Sequence, residues 1–506
     1  MDSTALYRIS QIRAIEQSGI ASLPPYTLMQ RAGAAVATAA VSMLADDVYA
    51  KRILILAGPG NNGGDGCEAA SVLALQGAKT FIHLIPSSGS LSPDSIIAFE
   101  HVVENKCGFI ELEKIDFSTY DLVIDALFGI GLSQPIRAPY RDLIVALNSA
   151  HEQQAVPVLA VDVPSGCDAD TGCVVGPEGV AVRADKTITF IANKIGLHTA
   201  VGRDYAGVVE VNTLDLPENL FSSTYTTLNH PSLFNSAIKK RNHASHKGTY
   251  GDVKIIGGAR GMAGAVVLAS RMALYAGAGR TYAVFLDDVP AYDSAHPEIM
   301  CRAADTCDLT TNCLVIGPGL GTSRAAHDVL SKALSSKTAL VLDADALNLI
   351  AVEAGLQAKL TTRTAPCILT PHPLEAARLL NQSVELVQAN RIAAAQTLAK
   401  QWNCVVILKG SGSVIAHADG RVVINTTGNP ALATAGTGDV LAGCCGALLA
   451  QANSSAWDAG LASTWCHGKA ADTLAATMFK NNGQLIGLTA SELILAVRYE
   501  LNQLIH

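Results

Sequence analysis

Short runs of aliphatic and β-branched residues alternate with longer Ala- and Leu-rich stretches along almost the whole chain. A first series comprises RILILAG (52–58), LVIDALFG (122–129), VLAVDVPSG (158–166) and KTITFIA (186–192). A second comprises VKIIGG (253–258), CLVIGPG (313–319), ALVLDADA (339–346), CILTPHP (367–373) and VVILKGSG (405–412). Strands that are apolar at successive positions must be covered on both faces, which predicts parallel sheets between helical layers, an α/β fold. PENLFSSTYTTLNHPSLFNSA (217–237) separates the two series; it is rich in Ser, Thr, Asn and Pro and has little helical period. Two domains are therefore expected, 1–222 and 240–506, joined by a linker over 223–239. Open α/β sheets bind ligands beyond the carboxyl ends of their strands. Most of the polar candidates below sit there.

Composition narrows the classes. A chain of 506 residues with 49% apolar and 16% charged residues has the material for large buried cores, and disorder is not expected. Aromatic residues make up only 5%, and the net charge is −8. Binding to nucleic acid depends on neutralising phosphates with Lys and Arg, so the charge argues against a general nucleic-acid role. The one basic run, KKRNHASHKG from Lys239, is expected to be a solvated connector or a local anion contact. The opening MDSTALYRIS lacks the regions of a secretory signal. No apolar run approaches the ~20 residues that span a bilayer. Twelve cysteines are scattered without a CxxC pair, which signals neither zinc nor a disulfide framework. Reduced thiols in a cytoplasmic protein are expected, and Ala-rich domains of this kind are expected to form a homo-oligomer.

In the first half, AGPGNNGGDG (57–66) follows a strand and opens a helical stretch. Its glycines permit close ligand approach, while Asn61, Asn62 and Asp65 add side-chain oxygens and amides that a bare turn does not need. Asp125 ends the next strand and precedes the glycine loop FGIGLSQP (128–135); Asp162 and Ser165 lie in AVDVPSG. Each alone is compatible with a capping role. Together, Asn62, Asp125 and Ser165 offer only hard oxygen donors, suited to a group I or II cation, and one carboxylate among neutral oxygens favours a monovalent ion.

LMQRAG (28–33), GPGNNGGDG (58–66), DALFGIGL (125–132), VDVPSGCDADTG (161–172) and ADKTITFIANKIGL (184–197) resemble the NAD(P)H-hydrate epimerase, or YjeF N-terminal, family over essentially all of 1–220. The resemblance implies a Rossmann-like three-layer αβα domain that interconverts the R and S hydrates of NADH and NADPH. It places the hydrate against Asn61, Asn62, Gly63, Gly64 and Asp65, and against Gly129, Ile130, Gly131, Leu132, Ser133, Gln134 and Pro135. Asp162 stands at the reacting nicotinamide as the catalytic residue, and Asn62, Asp125 and Ser165 hold potassium. Gln30 departs from the Glu more often found in LMERAG. The alternative for this half is a non-enzymatic binding module on the same fold.

In the second half, GNPALATAGTGDVLAG (428–443) runs a glycine turn into an apolar helix, with Asp439 at its mouth. Unpaired backbone N–H groups there attract phosphate. A neighbouring carboxylate can meanwhile take the proton of a hydroxyl that receives a phosphoryl group. The GTGD ending is similar to ribokinase-like kinases. With it stand HKGTYGDVKIIGGARGMAGAVVLASRMALYAGAG (246–279), PEIM (297–300), GPGLG (317–321), LDADALN (342–348), TPHPLEA (370–376) and LKGSGSVI (408–415). This ordered set resembles the ADP-dependent NAD(P)H-hydrate dehydratase, or YjeF C-terminal, family over about 240–506. Ala431, Leu432 and Ala435 depart from the usual Gly, Met and Gly.

That resemblance implies a ribokinase-like α/β domain that phosphorylates the C6 hydroxyl of the S hydrate from ADP, with Mg2+, and then eliminates phosphate to restore NADH or NADPH with AMP released. Asp439 would be the base and, with Ala265, Gly321 and His372, would line the hydrate site. Lys409, Gly410, Ser411, Gly412, Ser413 and Gly438 would hold the nucleotide. Asp343 and Asp345 fit a metal-bound phosphate and simple capping equally well. The partners implied are NADHX, NADPHX and ADP, with no nucleic acid and no membrane. The competing reading is a ribokinase-like small-alcohol kinase carrying a ligand-binding N-terminal domain, which would accumulate a phosphate ester.

Overall fold

The structure is a computed structural model that describes residues 4–86, 91–235, 238–451, 454–479 and 485–505. It divides into two compact units, Met1–Thr224 and Tyr225–His506.

The first unit is built on a seven-stranded sheet: β1 (Arg52–Ala57), β2 (Lys79–Leu84), β3 (Gly108–Phe109), β4 (Leu122–Ala126), β5 (Val158–Val161), β6 (Lys186–Phe190) and β7 (Val208–Asn212). The spatial order is β3-β2-β1-β4-β5-β6-β7, and every pairing is parallel. Alternation along β1 sorts its side chains between two cores. Ile53, Ile55 and Ala57 pack with Val36, Ala69, Leu73 and Val102 from the helices Thr27–Met43, Asn61–Leu75 and Pro93–Glu104. Leu54 and Leu56 face Phe117 and, from the helix Tyr140–Glu152, Ile144 and Leu147. The period of two therefore divides the unit into three layers. Strand order reverses between β1 and β4, so the chain leaving these two strands opens a crevice at their carboxyl ends.

The second unit carries ten strands: β8 (Thr226–Leu228), β9 (Asp252–Gly257), β10 (Arg280–Phe285), β11 (Met300–Ala303), β12 (Cys313–Ile316), β13 (Ala339–Leu342), β14 (Cys367–Leu369), β15 (Val405–Leu408), β16 (Ser413–Ala416) and β17 (Val422–Asn425). Their order is β11-β10-β9-β12-β13-β14-β15-β16-β17-β8. The sheet is parallel from β11 to β15 and then turns antiparallel through β16 and β17. Helices Ala263–Tyr275, Thr437–Ala450 and Ala490–Gln503 cover one face, packing on Val253, Ile255, Val315, Val341 and Ile368. From Val440 to Ala450 every residue of Thr437–Ala450 is buried, as befits a helix apolar all round.

The segment expected as a linker is partly structured. Thr226, Thr227 and Leu228 form β8, which pairs in parallel with Val422, Val423 and Ile424, and Phe234 is buried in the core of the second unit. A three-residue edge strand of two threonines and one leucine carries too little apolar pattern to stand out in a Ser/Thr/Asn-rich stretch. Residues 236 and 237 of that segment lie outside the described ones.

Close approach of backbone to backbone holds the central helix down. A Cβ at Gly443 would overlap the carbonyl oxygen of Ala269 on the neighbouring helix. Gly443→Ala is expected to destabilise the second unit by about 1–3 kcal/mol, the usual scale for overpacking. A lowered melting transition of that unit, with the first unit's unchanged, is the result that thermal denaturation should give.

Candidate active sites

In the first unit the crevice at the β1/β4 reversal is a cavity of about 600 Å³. Asn61, Asn62, Asp65, the loop Gly129–Gln134 and Asp162 all line it, together with Ile12, Arg13 and Glu16 from the helix Ile9–Ile20. Gly63, Gly64 and Pro135 serve the walls rather than the surface. A Cβ on Gly63 would overlap the Gly58 carbonyl, one on Gly64 would lie 2.6 Å from the Met29 methyl, and Pro135 packs against Gly176. The helix Asn61–Leu75 thus starts tight against the strand end and presents Asn61, Asn62 and Asp65 to the cavity.

Asp162 follows β5 with φ +66°, a left-handed conformation uncommon for a residue with a Cβ. Its Oδ1 accepts hydrogen bonds from Lys194 Nζ (2.7 Å), Phe190 N (3.0 Å) and Thr189 Oγ1 (3.3 Å). Burial pushes the Asp65 carboxyl well above the usual range, and the charges of Asp162, Glu16 and Asp94 add to the rise. The Glu16 carboxyl is raised too, again mainly by burial and then by Asp162. One cavity therefore holds an ion-paired carboxylate beside acids whose pKa values burial raises.

Asn62, Asp125 and Ser165 converge on the Phe128–Gly129 turn. Asp125 is fully buried; its Oδ2 accepts from Ser165 N (2.8 Å) and its Oδ1 from Ser165 Oγ (2.6 Å). Ser165 Oγ in turn accepts from Phe128 N (2.9 Å). Burial raises the Asp125 pKa to about 6, against the pull of the Ser165 and Leu127 donors. Both amide atoms of Asn62 are buried without a hydrogen-bond partner, and a Cβ at Gly129 would lie 3.2 Å from Asn62 Oδ1. The orphaned Asn62 Oδ1 beside a buried carboxylate with no cation paired to it is what a small cation would satisfy, while Asn62 Nδ2, a donor, would need an acceptor instead. Among the described residues no cluster of three or more His, Cys, Asp and Glu is placed to hold a metal.

In the second unit the polar groups again gather at strand ends. Asp343 follows β13 and is buried; its Oδ1 accepts from Lys409 Nζ (2.8 Å), just after β15, and from Thr370 Oγ1 (2.8 Å), just after β14. Lys409 Nζ lies 3.4 Å from where a Cβ of Gly438 would stand, which brings the lysine to the first turn of the helix Thr437–Ala450. Burial opposes the Lys409 charge, but Asp343, Glu375 and Asp439 together hold its pKa above the ordinary lysine value. Asp439 sits in that same first turn. Burial and the nearby Asp343 raise its pKa to about 7, Lys409 pulling the other way.

Around this centre, the turn from Gly410 to Ser413 closes on itself, with Gly410 N donating to Ser413 Oγ (3.3 Å). Gly410 has φ +143°, and a Cβ there would come within 2.8 Å of the buried Arg391 guanidinium, which donates to the carbonyls of Leu408 and Lys409. Gly321 donates its N–H to Asp345 Oδ2 (2.8 Å), so Asp345 braces the glycine turn after β12. Ala265 lies in the first turn of the helix Ala263–Tyr275, its Cβ 3.3 Å from where one on Gly319 would be. His372 caps the helix Pro373–Leu380: Nδ1 accepts from Leu374 N and Glu375 N, and Nε2 lies 3.2 Å from Glu375 Oε1. Burial raises the Glu375 pKa to about 7, Lys409 opposing and Asp343 adding.

The comparisons with known proteins cover both units. The YjeF-related protein N-terminus model matches residues 25–196, and the NAD(P)H-hydrate dehydratase model matches 253–493. The bifunctional NAD(P)H-hydrate repair enzyme Nnr of Coxiella burnetii is 37% identical over 99% of this chain and 100% of its own length. The chain belongs to the bifunctional NAD(P)H-hydrate repair enzyme family. Its Escherichia coli K12 relative of the same name is 36% identical over 93% of this chain and 89% of its own. The crystal structure of the ADP/ATP-dependent NAD(P)H-hydrate dehydratase of Bacillus subtilis, co-crystallised with ATP and Mg2+, aligns with 55% of this chain and 98% of its own at 28% identity and a TM-score of 0.46.

Several groups that shape these sites were not singled out from sequence. Lys194 lies inside a motif that marks the family, but nothing in its spacing points to Asp162, 32 residues earlier. Arg391, Thr370 and Glu16 come from segments remote from any glycine turn. His467 is buried in the helix Ala456–Phe479 with Nε2 2.8 Å from the Thr437 carbonyl, and burial lowers its pKa to about 4, so the neutral ring donates that bond. It pins the start of the Asp439 helix. No sequence signal separates it from an ordinary core histidine.

Proposed function

We propose that this enzyme repairs hydrated NADH and NADPH in two steps: epimerisation of the R and S hydrates in the first unit, and nucleotide-driven dehydration of the S hydrate in the second. Family membership across essentially the full length supports the pairing of activities. The observation that carries the chemistry is Asp439, whose carboxyl is balanced near neutrality in the first turn of a helix beside Lys409.

Hydroxide is a poor leaving group. With ADP bound against Lys409, Gly410, Ser411, Gly412, Ser413 and Gly438, Asp439 takes the C6 hydroxyl proton as that oxygen attacks the β-phosphorus and the bond to the AMP oxygen breaks. The N1 lone pair then expels phosphate, loss of a C5 proton closes the C5–C6 double bond, and the reduced nicotinamide is restored. Ala265, Gly321 and His372 shape the hydrate side. Mg2+, arriving with the nucleotide and held largely by phosphate oxygens and water, would supply charge neutralisation on the transferred group.

In the first unit the C6 carbon bears both a hydroxyl and N1, so it is a carbinolamine. Asp162 accepts the hydroxyl proton as C6=O forms and the C6–N1 electron pair passes to nitrogen, which takes a proton from Asp65, an acid whose pKa burial raises. Rotation about C5–C6 and the reverse steps on the other carbonyl face give the other epimer, with both protons returned. Asn62, Asp125 and Ser165 are suited to hold potassium, which would fix the Phe128–Gly129 turn and offer positive charge to the substrate. A cytoplasmic, homo-oligomeric enzyme fits this role.

A mixture of R and S hydrates with ADP, Mg2+ and K+ tests the division of labour. The intact enzyme should recover all of the reduced cofactor, and an Asp162→Asn enzyme only the share present as S hydrate, at times when spontaneous epimerisation is negligible. Full recovery by Asp162→Asn at the wild-type rate would remove the first unit's role. Separately, Asp439→Asn should lower the dehydration rate by about 10²–10⁴, the range of general-base contributions, while equilibrium ADP binding is kept.

A further inference from the structure

We infer that Lys194 is the positioning residue of the epimerase site: it fixes the Asp162 carboxylate in one rotation, leaving Oδ2 as the only oxygen that can act on substrate. The inference rests on the proposed role of Asp162 as base and explains how the protein builds that base.

Lys194 is buried to 1% side-chain exposure. An ammonium group has three donors, and here all three are spent: on Asp162 Oδ1 (2.7 Å), Thr189 Oγ1 (2.7 Å) and Phe190 O (3.0 Å). Thr189 Oγ1, having accepted from Lys194, passes its own proton toward Asp162 Oδ1 at 3.3 Å, and Phe190 N donates to the same oxygen at 3.0 Å. Three donors on one carboxylate oxygen prevent the group from turning. Oδ2 accepts no hydrogen bond within the described residues, and Asp162 lines the cavity. The lysine backbone is held in its turn, since Tyr7 bridges to Lys194 and Tyr7 N donates to Asn193 O (2.9 Å). Asp162 itself is kept at positive φ, with its N–H bonded to Ile188 O (2.8 Å).

Stability alone does not account for this pair. Burying an ion pair costs desolvation that an apolar pair of similar volume avoids. What the pair supplies is a charged oxygen aimed into a cavity whose other acids push the opposite way. The charged groups facing Asp162 are Lys194 behind it, Glu16 and Arg13 from the helix Ile9–Ile20, and Asp65 from the helix Asn61–Leu75; Asp94 also lines the cavity. Among them Lys194 is the one cation in contact with the carboxylate.

The test uses the full-length enzyme and pure R hydrate, with nucleotide omitted so that only epimerisation runs. In Lys194→Met the side chain keeps its length and loses its charge. The turnover number should fall at least about tenfold at neutral pH with KM changed less than about threefold. Dehydration of S hydrate by the same protein should be unchanged. A turnover number within about threefold of wild type in a folded Lys194→Met enzyme overturns the inference. Should that variant lose the first unit's melting transition, Thr189→Val decides. It removes one donor to Oδ1 and one acceptor of Lys194, and the turnover number should fall by a smaller factor with KM unchanged; a wild-type turnover number again overturns the inference. Asp162→Asn runs in parallel. Inactivity of Asp162→Asn beside wild-type turnover of Lys194→Met defeats the inference alone, whereas wild-type activity of Asp162→Asn defeats the base assignment and the inference with it.

Discussion

A sheet that is apolar on both faces leaves its polar groups one place to meet, the carboxyl ends of its strands, and both units of this enzyme obey that constraint. Ile53, Ile55 and Ala57 are committed to one core and Leu54 and Leu56 to the other, so β1 has no side chain to spare for chemistry until it ends. The same is true of β13, whose last residue, Leu342, is buried and whose next residue, Asp343, anchors Lys409. Charge gathers where hydrogen-bonded strands stop and helices begin. It is there partly shielded from water, which gives each carboxylate a strong dependence on its neighbours.

The two units use that dependence differently. In the first, Asp162 is clamped through one oxygen by a buried lysine and stands among carboxyls whose pKa values burial raises. In the second, Lys409 is tied to Asp343 rather than to Asp439, and Asp439 is left balanced between burial and a cation that does not bond to it. A base that must take a hydroxyl proton and later release it benefits from such a balance. Glu375, also raised to about 7 by burial, extends the same electrostatic neighbourhood toward His372.

Much of this was legible in the sequence. The nine apolar runs locate nine of the strands, and the glycine turns after β1, β4 and β12 mark strand ends because close backbone approach there excludes a Cβ, as at Gly58 and Gly317. Asn61, Asn62, Asp65 and Asp162 could be gathered from strand-end position and family resemblance together. The remainder was hidden for identifiable reasons. β8 and β3 are too short to show a period. The antiparallel β16–β17 pair follows no crossover helix and reads as an extension of the β15 turn. Lys194, Arg391 and His467 act through contacts made only when distant segments fold together, and their residue types are equally at home on a surface or in a core.

The central claim is that burial, and not the identity of the residue alone, sets the working state of Asp439, the proposed dehydration base. Its most direct test is a carbon-13 NMR titration of protein labelled at aspartate side-chain carboxyls, with the Asp439 resonance assigned as the one absent from Asp439→Asn. A titration midpoint near 7 is the predicted result. A midpoint near 4, the ordinary aspartate range, would contradict the account.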